Sequence, residues 1–329
     1  MIKAFVFGKF LPFHKGHEAM IRFALTHCDF LTVLVCRSNK EIIDGSIRKS
    51  WIDKTFADQQ NVEVRVYDYH EEALSNSSVS STEVSAAWAM VFKALLPGYT
   101  LLITSEPYGV YVADFMGIQH IFFDQPRILY PVSASAIRND PAACWNFLPD
   151  AVKSHFVKKV VILGTESTGK TTLAQQLADH FKATLVSEAG RDIVDDSKNF
   201  AFEDLYTIAV EHARRISEAI AGKSQLVIID TDIHITKSYA HFVFNKPLTV
   251  NKAINEANKA DLYLYLNNDV PYIQDGTRLN EKERNDLDIS HRRVLDNHGI
   301  NIIEIKGNWA ERFETAIKHV QGLMGNAGV

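Results

Sequence analysis

The chain has 329 residues, 46% of them hydrophobic and 23% charged. That leaves room for two domains, each with its own core, and excludes disordered and fibrous classes. A formal net charge of -5 argues against broad binding to nucleic acid, which takes a dense basic face, while leaving room for local phosphate pockets. Cys28, Cys36 and Cys144 have neither metal-ligand spacing nor an even disulfide count, which fits a reducing compartment. The opening MIKAFVFGKF is too short an apolar run for a signal peptide or a membrane span, so a cytoplasmic chain with no membrane partner is expected.

Apolar runs of strand length fall at 2–7, 31–36, 62–67, 101–104 and 120–123, then at 159–164, 184–187, 226–230, 262–266 and 302–305. Helical patterns separate them. Short continuous apolar strands alternating with helices predict parallel sheets covered on both faces. The fold class is therefore α/β, with two doubly wound parallel-sheet domains, 1–155 and 156–329. The join lies in PDAVKSHFVKK, where one set of strands has ended and a new strand with its own glycine turn begins.

The first strand runs into GKFLPFHKGH, Gly8 to His17. Gly8 permits close backbone approach to a phosphate, and Pro12 stiffens the turn. His14 and His17, with Gly16 between them, sit at the start of a helix that buries Ile21, Ala24, Leu25 and Cys28 at i, i+3, i+4, i+7 spacing. Two imidazoles there can donate to phosphate oxygens and stabilise charge on a departing pyrophosphate. The Ser-rich stretch at 75–85 reads as a mobile loop leading into a helix.

In this segment the chain resembles the nucleotidyltransferase superfamily, whose pattern G-x-F-x-P-x-H-x-G-H is matched at Gly8, Phe10, Pro12, His14, Gly16 and His17. That superfamily's second signature is matched by VSASAIR, Val132 to Arg138. The resemblance implies that Ser133, Ser135 and Arg138 grip the β and γ phosphates of ATP opposite the histidines. A serine capping the helix, with free N–H groups and an arginine facing the anion, makes physical sense of that role. This half would be a Rossmann-like nucleotidyltransferase.

After the strand KVVILG comes GTESTGKT, which fits G-x-x-x-x-G-K-[ST] in full and opens an amphipathic helix with Leu173, Leu177 and Phe181 on one face. The loop residues Gly164, Thr165, Glu166, Ser167, Thr168 and Gly169, with Thr171 and Thr172, would cradle the phosphates of ATP. Lys170 would bridge the β and γ phosphates, and the Thr171 hydroxyl would ligate Mg²⁺. Asp230, ending the strand LVIID, is the expected second Mg²⁺ anchor, although a helix N-cap is the plainer use of such an aspartate. Glu188 and Arg191 either orient a substrate hydroxyl or pair with each other. The charged stretch from Asp269 to Arg284 suits a lid, with Arg278 as its phosphoryl contact; Arg284 is left unassigned. The small size of this half points to a kinase of small molecules.

The order of the halves resembles the bifunctional nicotinamide-nucleotide adenylyltransferase and ribosylnicotinamide kinase family, called NadR-like. This covers essentially the whole chain, including DGTR at 275–278 and DTD at 230–232. The resemblance implies that the kinase half phosphorylates nicotinamide riboside to the mononucleotide NMN. The other half would then condense NMN with ATP to give NAD and pyrophosphate. Some members also carry an N-terminal helix-turn-helix domain, which this sequence leaves no residues for, so neither a repressor role nor a nucleic-acid partner is expected. Adenylyl transfer needs no base, so His14, His17, Lys9, Arg138 and Mg²⁺ would stabilise charge. The kinase step needs a carboxylate within reach of the attacking hydroxyl, and Asp232 or Glu188 would serve. Trp88, Tyr108 and Trp51 are candidate platforms for the cationic ring, each equally readable as a core aromatic. The alternatives are a different transferase–kinase fusion and a nucleotide-sensing regulator without turnover. A homo-oligomer is compatible with either.

Overall fold

A computed structural model of the chain describes residues 1–76, 81–194, 200–222, 224–270 and 280–325. The chain divides into two compact units, Met1–Lys153 and Ser154–Val329.

The first unit runs β1 (Lys3–Gly8), α1 (Lys15–Leu25), β2 (Phe30–Ser38), α2 (Gly45–Thr55), β3 (Val62–Tyr69), α3 (Thr82–Leu95), β4 (Leu101–Thr104), α4 (Tyr108–Met116), β5 (Gln119–Phe122) and α5 (Ala134–Asn139), followed by α6 (Asp150–Phe156), which contains the division. Its sheet has the order β3-β2-β1-β4-β5, with every pairing parallel. The central β1 reads KAFVFG because both its faces are covered. Phe5 and Phe7 enter a core with Trp88 and Phe92 of α3 and Val112 of α4. Helix α1 is shorter than its apolar spacing suggested. It ends at Leu25 with Thr26 as its C-cap, so Cys28 lies beyond it.

The second unit runs β6 (Lys158–Gly164), α7 (Lys170–Phe181), β7 (Thr184–Val186), α8 (Gly190–Ile193), α9 (Phe202–Ala221), β8 (Leu226–Asp230), α10 (Ile233–Phe244), α11 (Lys252–Asn258), β9 (Leu262–Leu266), α12 (Glu281–Asn297), β10 (Ile302–Ile305) and α13 (Trp309–Met324). Its sheet order is β10-β9-β6-β8-β7, again all parallel. On one face Leu173 and Leu177 of α7 pack with Ala316 and Val320 of α13 over Val160 and Ile162. Helices α9, α10 and α11 share a further core around Leu205, Ile233 and Ile254. No helix of the described residues is long and apolar enough to cross a membrane.

One buried side chain fastens the loop after β6 to the rest of this unit. Arg312, only 1% exposed, donates to the carbonyls of Gly307, Thr168 and Asn267, each at 2.9 Å, and pairs with Asp269. A guanidinium has five donors in a rigid fork and can serve all of these; an ammonium cannot. Replacing Arg312 with Met should lower the melting temperature of this unit by roughly 5–10 °C, and Lys should restore little of it. Calorimetry checks this, and an unchanged melting curve would remove the staple.

Candidate active sites

The histidine turn is built on two buried phenylalanines. Phe10 and Phe13 are almost wholly enclosed, and Phe10 takes the left-handed backbone at φ 47°, which carries the chain from β1 round to α1. His14 is the N-cap of α1, its Nδ1 accepting from the His17 amide at 3.4 Å. The two imidazoles lie nearly parallel, centroids 3.7 Å apart, with the Phe10 ring edge-on to His17 at 5.0 Å. Gly16 makes room for this arrangement, since a Cβ there would lie 3.1 Å from the His14 ring.

Burial sets the charge of the pair. It lowers His14 to about 4, helped by the Arg127 guanidinium, and it lowers His17 well below the usual range, with His14 and Arg127 adding to the effect. Both rings are therefore neutral at pH 7. Nδ1 of His17 is buried without a hydrogen-bond partner among the described residues, an arrangement that an incoming ligand would complete.

The second signature closes on the first. Ser133 caps α5, its Oγ accepting from the Ala136 amide at 3.1 Å. Arg138 donates to the carbonyl of Leu11 and to the Ser135 hydroxyl at 2.9 Å, so residues 127 apart in sequence meet. Lys9 lies 2.9 Å from Glu41. The same carboxylate takes the buried Arg48 at 2.6 Å, which also donates to the Lys9 carbonyl at 3.0 Å. Arg48 and Arg127 are contributors that sequence reasoning passed over; each is a lone arginine outside any motif.

Two of the three candidate ring platforms, Trp88 and Trp51, lie in the interior. Trp88 is 1% exposed, its indole N–H donating to the Ser75 carbonyl at 2.9 Å, with Phe7, Tyr69 and Phe92 around it. Tyr108 packs against the same core, 5.6 Å from Phe7. Trp51 is buried in α2. For Trp88 and Trp51 core packing is the reading their placement meets, because a ring closed in on its faces offers none to a ligand; Tyr108 is only partly buried, and both of its readings stand.

In the second unit, two glycine positions of the phosphate loop allow no side chain. Gly164 stands at φ 141° with a Cβ position 2.7 Å from the Leu266 carbonyl. Gly169 stands at φ 87°, where a Cβ would strike the Trp309 indole at 2.4 Å. Within the loop, Thr168 donates to the Thr165 carbonyl at 2.8 Å, and Lys170 folds onto the same carbonyl at 3.0 Å. Thr171 donates to Asp230 at 2.6 Å. Burial raises the Asp230 carboxyl, with Lys170 opposing the shift. A hydroxyl and a carboxylate side by side at a phosphate loop are the hard oxygen donors that suit Mg²⁺, which keeps its other positions for water and phosphate.

A cavity of about 620 Å³ opens beside this loop. It is lined by Gly164, Glu166, Ser167, Lys170 and Thr172 of the loop and its helix, by Glu188 and Arg191, and by the apolar Leu205, Ile208 and Ile235. Glu188 and Arg191 pair at 3.0 Å. Tyr239 donates to Glu166 at 3.1 Å.

Asp232 departs from expectation as a hydroxyl base. It is the N-cap of α10, accepting from the His234 and Ile235 amides and lying 2.5 Å from His234 Nδ1. It has no exposed surface and does not line the cavity. A carboxylate engaged by a helix end and an imidazole, and set back from the cavity lining, is placed for a structural role. Glu188, the other candidate, does line the cavity. Arg278 and the DGTR stretch lie outside the described residues. Arg284, left unassigned by the sequence, is 2% exposed and reaches the Thr165 hydroxyl at 3.4 Å. His212, Tyr239 and His291 also line the cavity. Sequence reasoning missed all three, since each sits alone on a helix with no motif to mark it.

A family model described as an AAA domain matches residues 159–312. Over nearly its whole length the chain is similar to proteins named trifunctional NAD biosynthesis/regulator protein NadR. It is 27% identical to that of Salmonella typhimurium strain LT2, covering 98% of this chain and 83% of that one. It is 28% identical to that of Escherichia coli strain K12, covering 97% and 83%. Two solved structures share the fold of both units, a NadR protein in complex with NR and one in complex with NAD and AMP-PNP. Their TM-scores are 0.76 and 0.74, each at 21% identity and covering 98% of this chain and 96% of the other.

Because the folded-state value of His14 is depressed from 6.5 to about 4, protonation opposes folding. Stability present above pH 6.5 should fall as the pH drops from 6.5 toward 4. An NMR titration should place the His14 midpoint near 4 and move it upward on addition of pyrophosphate, whose charge favours the imidazolium. A midpoint unmoved by pyrophosphate would detach the histidines from a phosphate site.

Proposed function

We propose that this chain, a NadR homologue, catalyses two consecutive steps of NAD formation. Residues 156–329 would phosphorylate nicotinamide riboside with ATP, and residues 1–155 would join the resulting mononucleotide to the adenylyl group of a second ATP. The observation that carries this reading is that each unit has a phosphate turn closed against its own partner residue, Arg138 on Leu11 in one and Asp230 on Thr171 in the other. The likeness to NadR across both units supports the choice of substrates.

In the kinase step the γ-phosphoryl group rests at the loop and Lys170 leaves the Thr165 carbonyl for the β and γ phosphate oxygens. The riboside lies in the cavity with its 5′-hydroxyl toward Glu188. The O5′–Pγ bond forms as the bond from Pγ to the β,γ-bridging oxygen breaks, and the hydroxyl proton passes to Glu188. Thr171 and Asp230 would hold Mg²⁺, which supplies charge neutralisation at the phosphate oxygens. Arg191 orients the Glu188 carboxyl group through their contact at 3.0 Å.

In the adenylyl step the mononucleotide phosphate, already an anion, attacks the α-phosphorus of ATP and pyrophosphate departs. His14 and His17 each offer an N–H to the phosphate oxygens. Lys9, Arg138, Ser133 and Ser135 meet the β and γ phosphates, with the glycines of the turn admitting the chain of phosphates to the backbone.

Lys170→Ala should cut phosphorylation of the riboside by roughly 100-fold or more while leaving NAD formation from the mononucleotide intact. His17→Ala should do the reverse and let mononucleotide accumulate. Product analysis by mass spectrometry checks both, and loss of both steps in either folded variant would refute a two-site enzyme. Glu188→Gln should lower kcat of the kinase step by about 100-fold with KM little changed. Asp232→Asn should act mainly through stability, seen as a lower melting temperature. Wild-type kcat in Glu188→Gln would remove Glu188 as the base.

A further inference from the structure

The acceptor wall of the kinase cavity contains a group that the mechanism above does not use. Leu205, Ile208 and His212 stand three and four residues apart on α9, so they share one face of the helix, and all three line the cavity. His212 is 3% exposed, and its Nε2 is buried with no hydrogen-bond partner among the described residues. A buried imidazole nitrogen left unpaired is costly unless a ligand completes it.

Its neighbours place it beside the segment that bears Glu188. Arg215, one turn further along α9, donates to the Ser187 hydroxyl at 3.2 Å and to Asp192 at 2.6 Å, which fastens the helix to the segment bearing Glu188. Burial lowers the His212 imidazole against the opposing pull of Asp232 and Glu188, so the ring is a neutral hydrogen-bonding group. The wall beyond it, toward Leu205 and Ile208, is apolar and suits a flat ring. A neutral Nε2 either donates or accepts according to tautomer, and a sugar hydroxyl can do both, so it satisfies either form.

We infer that His212 hydrogen-bonds a secondary hydroxyl of the ribose of the acceptor nucleoside. It would hold the sugar while the 5′-hydroxyl faces Glu188, and would set the preference for ribosides over deoxyribosides. The inference rests on the kinase reading above and adds a specificity determinant to it. His212 is a positioning residue that touches the sugar and takes no part in the proton transfer.

The test compares phosphorylation of nicotinamide riboside with that of its 2′-deoxy and 3′-deoxy analogues by the full chain. Wild type should favour the riboside over one of the two analogues by about tenfold in kcat/KM. In His212→Leu that preference should disappear, the riboside falling to the rate of the analogue, and His212→Gln, which keeps a donor and an acceptor, should restore part of it. Unchanged melting temperature and ATP binding establish that the variants fold. Persistence of the full preference in His212→Leu would overturn the inference, as would loss of discrimination between nicotinamide and nicotinic acid ribosides in its place. Failure of wild type to phosphorylate the riboside would overturn the kinase reading and this inference together, whereas wild-type turnover with an unchanged ratio in the variants overturns the inference alone.

Discussion

Both candidate sites depend on the constraint that parallel strands impose on connection. Each crossover returns over a face of the sheet, so crossovers leaving opposite sides of a central strand diverge, and a crevice opens at that strand's carboxyl end. β1 and β6 are the central strands here, and the two phosphate turns follow them directly. Strand register does the rest in the second unit. Ile162 pairs with Asp230, and the Thr231 amide continues the ladder to the Ile162 carbonyl at 3.0 Å. The carboxylate at the end of β8 is thereby level with the start of the loop, where the first turn of α7 brings Thr171 to it. No special fit between distant segments is needed; adjacent parallel strands with the right register deliver the pair.

Within that shared geometry the units handle charge differently. The loop after β6 presents backbone N–H groups and a lysine, and Lys170 bonds a loop carbonyl in the structure. The turn after β1 instead holds two stacked imidazoles that burial keeps neutral. Neutral rings can sit 3.7 Å apart without repulsion, whereas two imidazolium ions at that distance in a partly buried site would cost several kcal/mol. An arriving polyphosphate makes protonation more favourable, so the positive charge of this site can rise with its ligand.

The architecture was legible in the sequence because its signals are local. All ten predicted strands appear, for an apolar run bounded by turn residues depends little on the rest of the chain. The phosphate loop and its two strict glycines were legible for the same reason. Long-range pairing was not. That Arg138 would land on Leu11, that Arg48 would be enclosed beneath Lys9 and Glu41, and that Arg284 would bury itself against Thr165 all follow from packing across 39 to 127 residues of sequence. Helix-borne histidines were the hardest to foresee. His212 and His291 lie in otherwise ordinary amphipathic patterns, and only the cavity reveals that their faces are not simply core. Asp232 is the reverse case: the sequence offers it or Glu188 as the base, and only the structure shows that Asp232 caps α10 while Glu188 lines the cavity.

The carboxylates near the two turns are disposed as the two proposed reactions require. A hydroxyl nucleophile must lose its proton as it attacks, so a kinase site needs an acceptor carboxylate open to its cavity; Glu188, which lines the cavity and is steadied by Arg191, is so placed. A phosphate monoester is already an anion, so an adenylyl-transfer site has no use for a base, and a bare carboxylate there would repel the incoming charge. At the histidine turn Glu41 is held by Lys9 and Arg48 together, so it is not a bare carboxylate. The unit that comes second in sequence thus has what the first of the two proposed steps needs, and the unit that comes first suits the ionised product of that proposed step.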